Sequence, residues 1–108
     1  MFEKYTCLIY ACMTGRPKVI RALLAKGADP NLTDYLGASG LAYAAVNGNL
    51  ECAKLMHAAG ADVNHRNQWG DTCLDRAIQY KRQEIGEFLR SKGGECSEAY
   101  EYPKKWKK

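Results

Sequence analysis

The chain has 108 residues, of which 46% are apolar and 26% are charged, an ordinary globular balance that suits a single domain. Its net charge is +4, and residues 96–108 supply +2 of it, so the body is nearly neutral and lacks a basic stripe for nucleic acid. No apolar run is long enough to span a membrane, and the five cysteines come without C-x-x-C spacing or a signal-peptide layout. We therefore expect an intracellular protein, cytoplasmic or nuclear, with reduced thiols.

Three segments of the chain repeat in register with a period of 33 residues and without insertions. A fixed period of this size is typical of stacked repeat architectures. Four positions keep the same kind of residue in every copy: Thr6, Ser39 and Thr72; Leu8, Leu41 and Leu74; Ala11, Ala44 and Ala77; Gly27, Gly60 and Gly93.

The first copy predicts two short helices joined by a tight turn. Thr6 is placed to begin the first helix, and Gly15 to end it. Pro17 lies near the first position of the second helix, where its missing amide hydrogen costs nothing. The segment "GADPN" at 27–31 then ends the unit.

The second copy predicts the same pair of helices. Ser39 provides a hydroxyl that caps the first helix, and Gly48 ends that helix. Asn49 caps the second helix, which ends at Gly60. The following segment, 61–71, is polar and rich in turn-forming residues, so it predicts an extended excursion with a tight turn at its tip.

The third copy departs from this pattern at three positions. Thr72 and Asp75 form "TCLD", which resembles a capping box; read instead as an active-site acid, Asp75 has no partner in the pattern. Lys81 stands where the other copies have glycine. Gly86 lies inside the second helix, where it costs up to about 1 kcal/mol relative to alanine.

One helix face in each copy is apolar at the spacing of a buried stripe. We expect these leucines and aromatic residues to be buried: Leu8, Leu41, Leu74, Leu23, Leu55 and Phe88.

A 33-residue unit of two helices and a turn that ends in "GADVN" resembles an ankyrin repeat. The resemblance covers roughly residues 5–95 and is strongest in "GNLECAKLMHAAGADVN". The Thr-Pro-Leu-His opening of the family reads "TCLI", "SGLA" and "TCLD" here, so the hydrogen bonds of that histidine are absent or replaced. The resemblance implies an all-α ankyrin-repeat solenoid of stacked helix-turn-helix units joined by hairpin-like loops, with repeats at about 1–31, 32–64 and 65–95 and a basic aromatic C-terminal tail at 96–108.

The residues that could carry chemistry show no catalytic or metal-binding arrangement. His57 and His65 lack a cysteine or carboxylate at metal-ligand spacing. No glycine-rich loop is free to cradle a phosphate, because the glycines end helices. We expect no enzyme, no metal and no cofactor, and we interpret four cysteines as small apolar fillers: Cys7, Cys12, Cys52 and Cys73.

In ankyrin repeats, partners bind the hairpin tips and the exposed face of the first helices. Carried over position by position, the resemblance gives these partner-binding residues: Tyr35, Leu36, Ala38, Val46, Asn47, Gln68, Trp69, Asp71, Gln79 and Tyr80. Large apolar groups on tips that packing does not require are typical of interface anchors. The alternative for Trp69 is that its ring folds back over its own hairpin.

The tail carries two competing interpretations. Its basic residues favour contact with phosphate or an acidic protein patch. Alternatively, Tyr100 and Tyr102 pack over Gly86 as a cap, which an end repeat needs. The predicted tail contacts are Lys104, Lys105, Trp106, Lys107 and Lys108.

These observations predict a non-enzymatic protein-binding module, a small adaptor or inhibitor that covers a surface of another protein. One alternative is association with nucleic acid or an acidic partner through the basic tail. Another is a self-associating subunit or a module of a larger protein.

Overall fold

The chain forms three successive helix-turn-helix pairs. The structure, a computed structural model, describes residues 4–106, with side chains from residue 7 onward. Among these residues the regular elements are helices alone, apart from one isolated bridge between Thr33 and Ser39, so the all-α prediction is confirmed. The helices are α1 (Lys4–Thr14), α2 (Pro17–Ala25), α3 (Gly40–Asn47), α4 (Leu50–Ala58), α5 (Cys73–Gln79) and α6 (Gln83–Ser91).

The helices form two layers. Helix α3 packs between α1 and α5, and α4 packs between α2 and α6 in the second layer. The apolar core lies between these layers. Leu8, Leu41 and Leu74 are all buried there, as their shared repeat position predicts. The first helices of the three pairs therefore stack with equivalent side chains in register.

The prediction that Leu23, Leu55 and Phe88 are buried is wrong, because all three are only half-buried. Their side chains nevertheless pack against the core. The large apolar side chains of the second-layer helices that are fully buried are Ile20, Met56, Ile85 and Leu89.

Polar side chains cap the helices at the predicted residues in the second and third pairs. The Ser39 hydroxyl accepts a hydrogen bond from the Ala42 amide (3.3 Å), and the Asn49 side chain accepts one from the Cys52 amide (3.1 Å). Helix α1 begins at Lys4, two residues before the predicted start at Thr6. The side chain of Thr6 lies outside the described residues.

Asp75 has the predicted structural role. Its amide donates to the Thr72 hydroxyl (3.1 Å) and its Oδ2 accepts from the Thr72 amide (2.9 Å), which completes a capping box. The other carboxylate oxygen accepts a hydrogen bond from the Ser97 amide (3.0 Å). The fully buried carboxylate therefore both starts α5 and anchors the chain that follows the last helix.

The turns inside the helix pairs need a left-handed residue. Gly15 and Gly48 end α1 and α3 with φ of 70° and 73°. At the equivalent position, Lys81 has a φ of 59°, the one positive φ of a non-glycine residue among residues 4–106. The third pair therefore keeps the turn geometry of the others with a residue that is strained in it.

Two asparagines join successive units through backbone atoms. Asn31 donates to the carbonyl of Gly60 (3.0 Å) and accepts from the amide of Asp62 (2.7 Å). Asn64 repeats both bonds one unit later, with the carbonyl of Gly93 (3.0 Å) and the amide of Glu95 (2.8 Å). The last residue of "GADPN" and of "GADVN" therefore binds the end of the next unit. This shared role explains why both segments end in asparagine.

Residues 95–106, here named the C-terminal strap, fold back over α6. The Trp106 ring lies directly over Gly86 and is only 6% exposed. Tyr102 packs edge-on against Trp106, with ring centroids 5.7 Å apart, and the Arg90 guanidinium lies 4.5 Å from the centre of the Tyr102 ring. The predicted cap at Gly86 thus exists, but the ring over Gly86 is that of Trp106 and not that of Tyr100 or Tyr102.

Candidate functional site

The first hairpin tip, residues 34–38, is held by Asp34. One of its carboxylate oxygens accepts hydrogen bonds from the amides of Leu36 and Ala38, both at 2.9 Å. The other accepts the hydroxyl of Tyr43 at 2.5 Å. With three donors on one short side chain, this tip has little freedom to change shape.

The second tip, residues 67–71, is built in the same way. The Asn67 side chain accepts from the amides of Trp69 (2.9 Å) and Asp71 (3.0 Å). The tips are also joined to each other, because the Gln68 amide donates to the Leu36 carbonyl (3.1 Å). Side chains on both tips are consequently held at fixed positions relative to one another.

The two histidines have structural neighbours. His65 Nε2 lies 2.8 Å from the carbonyl oxygen of Gly37, and so links the two tips. His57 packs edge-on against Phe88, with ring centroids 5.8 Å apart. Among the side chains of residues 7–106, no three histidine, cysteine, aspartate or glutamate residues stand close enough together to hold a metal ion.

A cleft of about 220 Å³ lies between the tips and the first-layer helices α3 and α5. The structure brings half of the predicted partner-binding residues together there: Leu36, Ala38, Val46, Trp69 and Tyr80. Trp69 is 61% exposed and Tyr80 is 46% exposed. Trp69 therefore lines the cleft with more than half of its surface exposed.

The other predicted residues lie around the cleft. Tyr35 is 90% exposed on the first tip, and Gln68 is exposed on the second. Asn47 donates to the carbonyls of Cys12 and Met13, and so ties α3 to the end of α1. The remaining two, Asp71 and Gln79, both contact Arg76, a residue of the cleft.

Four residues of the cleft lie outside the predicted set, and they are Ala42, Tyr43, Asn67 and Arg76. The repeat period contains the signal for two of them, because Tyr43 and Arg76 occupy equivalent positions 33 residues apart. The same position in the first unit is Tyr10, which is exposed, as is Met13, the equivalent of Val46. The apolar surface therefore continues from the cleft along α1.

Tyr43 is a fixed hydrogen-bond donor of the cleft. Burial, strengthened by its hydrogen bond to Asp34, raises the pKa of the Tyr43 phenol to about 12. The phenol consequently stays protonated at neutral pH and keeps the Asp34 carboxylate occupied.

Most of the cysteines are buried within the helix layers. Cys12, Cys52 and Cys73 are fully buried, so their interpretation as apolar fillers is confirmed, whereas Cys7 is exposed and that interpretation is wrong for it. Burial raises the pKa of the Cys12 and Cys73 thiols to about 12. Such thiols remain protonated and are poor nucleophiles.

The basic tail differs from its prediction at Trp106. Because this ring is buried against Gly86, it is not available to a partner, and the prediction that Trp106 is a tail contact is wrong. Lys104 and Lys105 are exposed, and Lys107 and Lys108 lie outside the described residues. Among residues 4–106, no helix is both long and apolar enough to cross a membrane.

The repeated sequence of the chain matches a known family. The profile of ankyrin repeats in three copies matches residues 8–99. The chain belongs to the ankyrin-repeat family. Ankyrin repeats are non-catalytic interaction units, so this ankyrin-repeat domain is a protein-binding module.

The relatives of this ankyrin-repeat domain differ widely in their activities. Cyclin-dependent kinase inhibitor 2A of Homo sapiens is 31% identical over 87 residues, which are 80% of this chain and 56% of the relative. Cyclin-dependent kinase 4 inhibitor B of Bos taurus is 31% identical over 81% of this chain and 67% of its own length. An L-asparaginase of Dirofilaria immitis is 33% identical over 80% of this chain, but the match spans only 15% of that enzyme.

Proposed function

We propose that this ankyrin-repeat domain is a small adaptor or inhibitor that binds another protein through the cleft between its tips and its first-layer helices. The observation that carries the proposal is the exposure of Trp69 and Tyr80, which both line this cleft. Neither ring is needed to bury the repeats. Each therefore exposes apolar area to solvent, which is unfavourable unless a partner covers it.

The rigidity of the site supports this function. Hydrogen bonds that backbone amides donate to the side chains of Asp34 and Asn67 hold both tips before any partner arrives. A surface that is already ordered loses little conformational entropy on binding, which favours affinity. Two relatives are inhibitors of cyclin-dependent kinases, which supports an inhibitory role that works by occupying a surface.

The tail is less suited to carry the function. Its residue Trp106 is buried against Gly86. In the part of the tail that the structure describes, the exposed cations are Lys104 and Lys105. Two lysines give a weak electrostatic attraction to nucleic acid. We propose that residues 1–95 are the three repeats and residues 96–108 the tail, and that the strap caps the last repeat. We also propose that the chain is not an enzyme and acts inside the cell, where its free cysteines stay reduced.

The test begins with a partner recovered from native extract and then titrated against purified variants. Trp69→Ala should weaken binding by about 2 kcal/mol or more, roughly thirtyfold, as for other buried interface aromatics. The matched control is Val19→Ala, since Val19 is an exposed apolar residue of the second helix layer. It should leave the affinity unchanged.

Thermal melting of both variants separates binding from folding. We expect the melting temperature of the Trp69→Ala protein to stay close to that of the wild type. A variant that loses stability but keeps its partner would show that Trp69 belongs to the packing of its hairpin. Binding that survives Trp69→Ala but disappears with added salt, or with Lys104→Ala and Lys105→Ala together, would favour the tail instead.

A further inference from the structure

Arg76 is the one charged residue among the described residues that line the cleft. It follows Tyr10 and Tyr43 at the same position of successive units, so a cation replaces a phenol at this point of the surface. Its side chain is 21% exposed, low enough for its charge to be incompletely solvated. A guanidinium in such a place carries a stronger interaction than one in open water.

The protein satisfies few of the hydrogen-bond donors of Arg76. A guanidinium has five N–H groups. Within the described residues, the side chain donates one hydrogen bond, from Nη1 to the Gln79 side chain at 2.9 Å. Asp71 Oδ2 lies 3.7 Å from Nη2, which is an ion-pair distance but too long for a hydrogen bond. The guanidinium edge is therefore left with donors that an incoming acceptor can use.

The charges around the cleft favour an acidic acceptor. The Asp34 carboxylate already accepts three hydrogen bonds from its own tip and from Tyr43. Nearby, Arg82 donates to the carbonyl of the cleft residue Val46 (2.9 Å), and Arg66 donates to that of Gly70, next to Trp69 in sequence (3.1 Å). The Asp71 carboxylate beside Arg76 offsets one of these three cations, so positive charge remains in excess. A partner with negative charge is therefore complementary to this face.

The size of the cleft limits what enters it. Small-molecule sites usually occupy roughly 300–1,000 Å³. The volume here is about 220 Å³, and its lining includes the aromatic residues Tyr43, Trp69 and Tyr80. This space suits one large apolar side chain of a protein better than a separate ligand.

Resting on the proposed function, we propose that the cleft binds a protein segment that carries a large apolar side chain with an aspartate or glutamate close to it in sequence. The apolar side chain enters between Trp69 and Tyr80. The carboxylate binds the free edge of Arg76, where the planar fork of the guanidinium allows two parallel hydrogen bonds. Arg76 thus selects acidic segments, whereas Trp69 supplies affinity.

The probe is a phage-displayed library of random twelve-residue peptides, selected on the immobilised full chain. We expect enriched peptides to share a large apolar residue with Asp or Glu within four positions of it. A synthetic peptide from this set is then titrated beside its matched Glu→Gln or Asp→Asn version. The wild type should bind the acidic peptide at least tenfold more tightly than the amide version.

Arg76→Gln should remove that discrimination, so that the variant binds both peptides with similar, weakened affinity, and Arg76→Lys should restore only part of it. The peptide substitution requires no change in the protein, and melting curves check that each variant is folded. Equal binding of the acidic and amide peptides by the wild type, with loss on Trp69→Ala, would overturn the carboxylate proposal and leave the proposed function standing. Peptides indifferent to Trp69→Ala, or a library without binders, would count against both.

Discussion

The six-membered ring of Trp106 occupies the space that a Cβ atom on Gly86 would need. A glycine inside a helix ordinarily weakens that helix. Here the missing side chain lets the C-terminal strap lie directly on the backbone of α6. The absence of a side chain at Gly86 therefore makes room for the Trp106 ring, so the packing of the strap depends on both residues.

Gly86→Ala should lower the stability of the chain, although alanine favours helices by up to about 1 kcal/mol over glycine. The added methyl group would push Trp106 off α6, and overpacking of this kind costs about 1–3 kcal/mol. We therefore expect a net loss in the free energy of unfolding, measured by urea denaturation.

Trp106→Ala provides the matched background for this test. Once the ring is gone, Gly86→Ala should stabilise the protein, because only the gain in helix propensity remains. A Gly86→Ala substitution with the same effect in both backgrounds would mean that the strap does not depend on contact at Gly86.

Lys81→Gly should stabilise the third helix pair. A left-handed conformation costs a non-glycine residue about 1–2 kcal/mol, and the greater freedom of glycine in the unfolded chain returns about 0.4–1 kcal/mol of this. We expect a net gain of roughly 0.5–1 kcal/mol in the free energy of unfolding. Lys81→Ala removes the same side chain but keeps the strained φ of 59°, so it should give no comparable gain.

Leu41→Ala should cost about 2–5 kcal/mol, since it leaves a cavity in the fully buried centre of the stack. The half-buried Leu55 offers a matched control in the neighbouring helix, and Leu55→Ala should cost clearly less. Thermal melts of both variants check the order. An equal loss at the two sites would show that the core does not lie between the helix layers.

The stability of the chain should fall in alkaline solution. Burial raises the pKa of the Cys12 and Cys73 thiols from about 9 to about 12. Between these values the unfolded thiols ionise while the folded ones keep their protons, so the folded state binds more protons. Its stability should then decrease by about 1.4 kcal/mol per pH unit for each thiol above about pH 9, and should be fully present below it.

Denaturant melts at several pH values test this slope. Cys73→Ala should make the decline shallower, while Cys7→Ala, which removes an exposed thiol, should leave it unchanged. An identical slope in all three proteins would assign the alkaline decline to other groups.

Much of the fold can be predicted from residues whose roles are local. Ser39, Asn49 and Thr72 cap their helices because a short oxygen-bearing side chain can reach the first free amides. The fixed period then places equivalent leucines at one depth in the stack. Part of the proposed surface follows from the same register, because Leu36 and Trp69, and likewise Tyr43 and Arg76, are 33 residues apart.

The rest depends on contacts between distant parts of the chain. Which tail residue fills the place above Gly86 is decided by the path of the strap, and composition alone points equally to Tyr100, Tyr102 and Trp106. Leu55 fits an apolar stripe, yet its burial depends on how the second-layer helices are rotated about their axes. By contrast, the repeat position that Tyr10, Tyr43 and Arg76 share can be found from the sequence alone.

The asparagine links give the chain a property that extends beyond its own stability. Asn31 and Asn64 each bind one backbone carbonyl and one backbone amide of the next unit, so these hydrogen bonds do not depend on which side chains that unit carries. The same two hydrogen bonds join Asn31 to the next full repeat and Asn64 to the end of the last repeat, where the strap begins. We therefore expect a 33-residue unit inserted after Asn64 to form the same asparagine hydrogen bonds at both of its ends, which would lengthen the stack by one repeat.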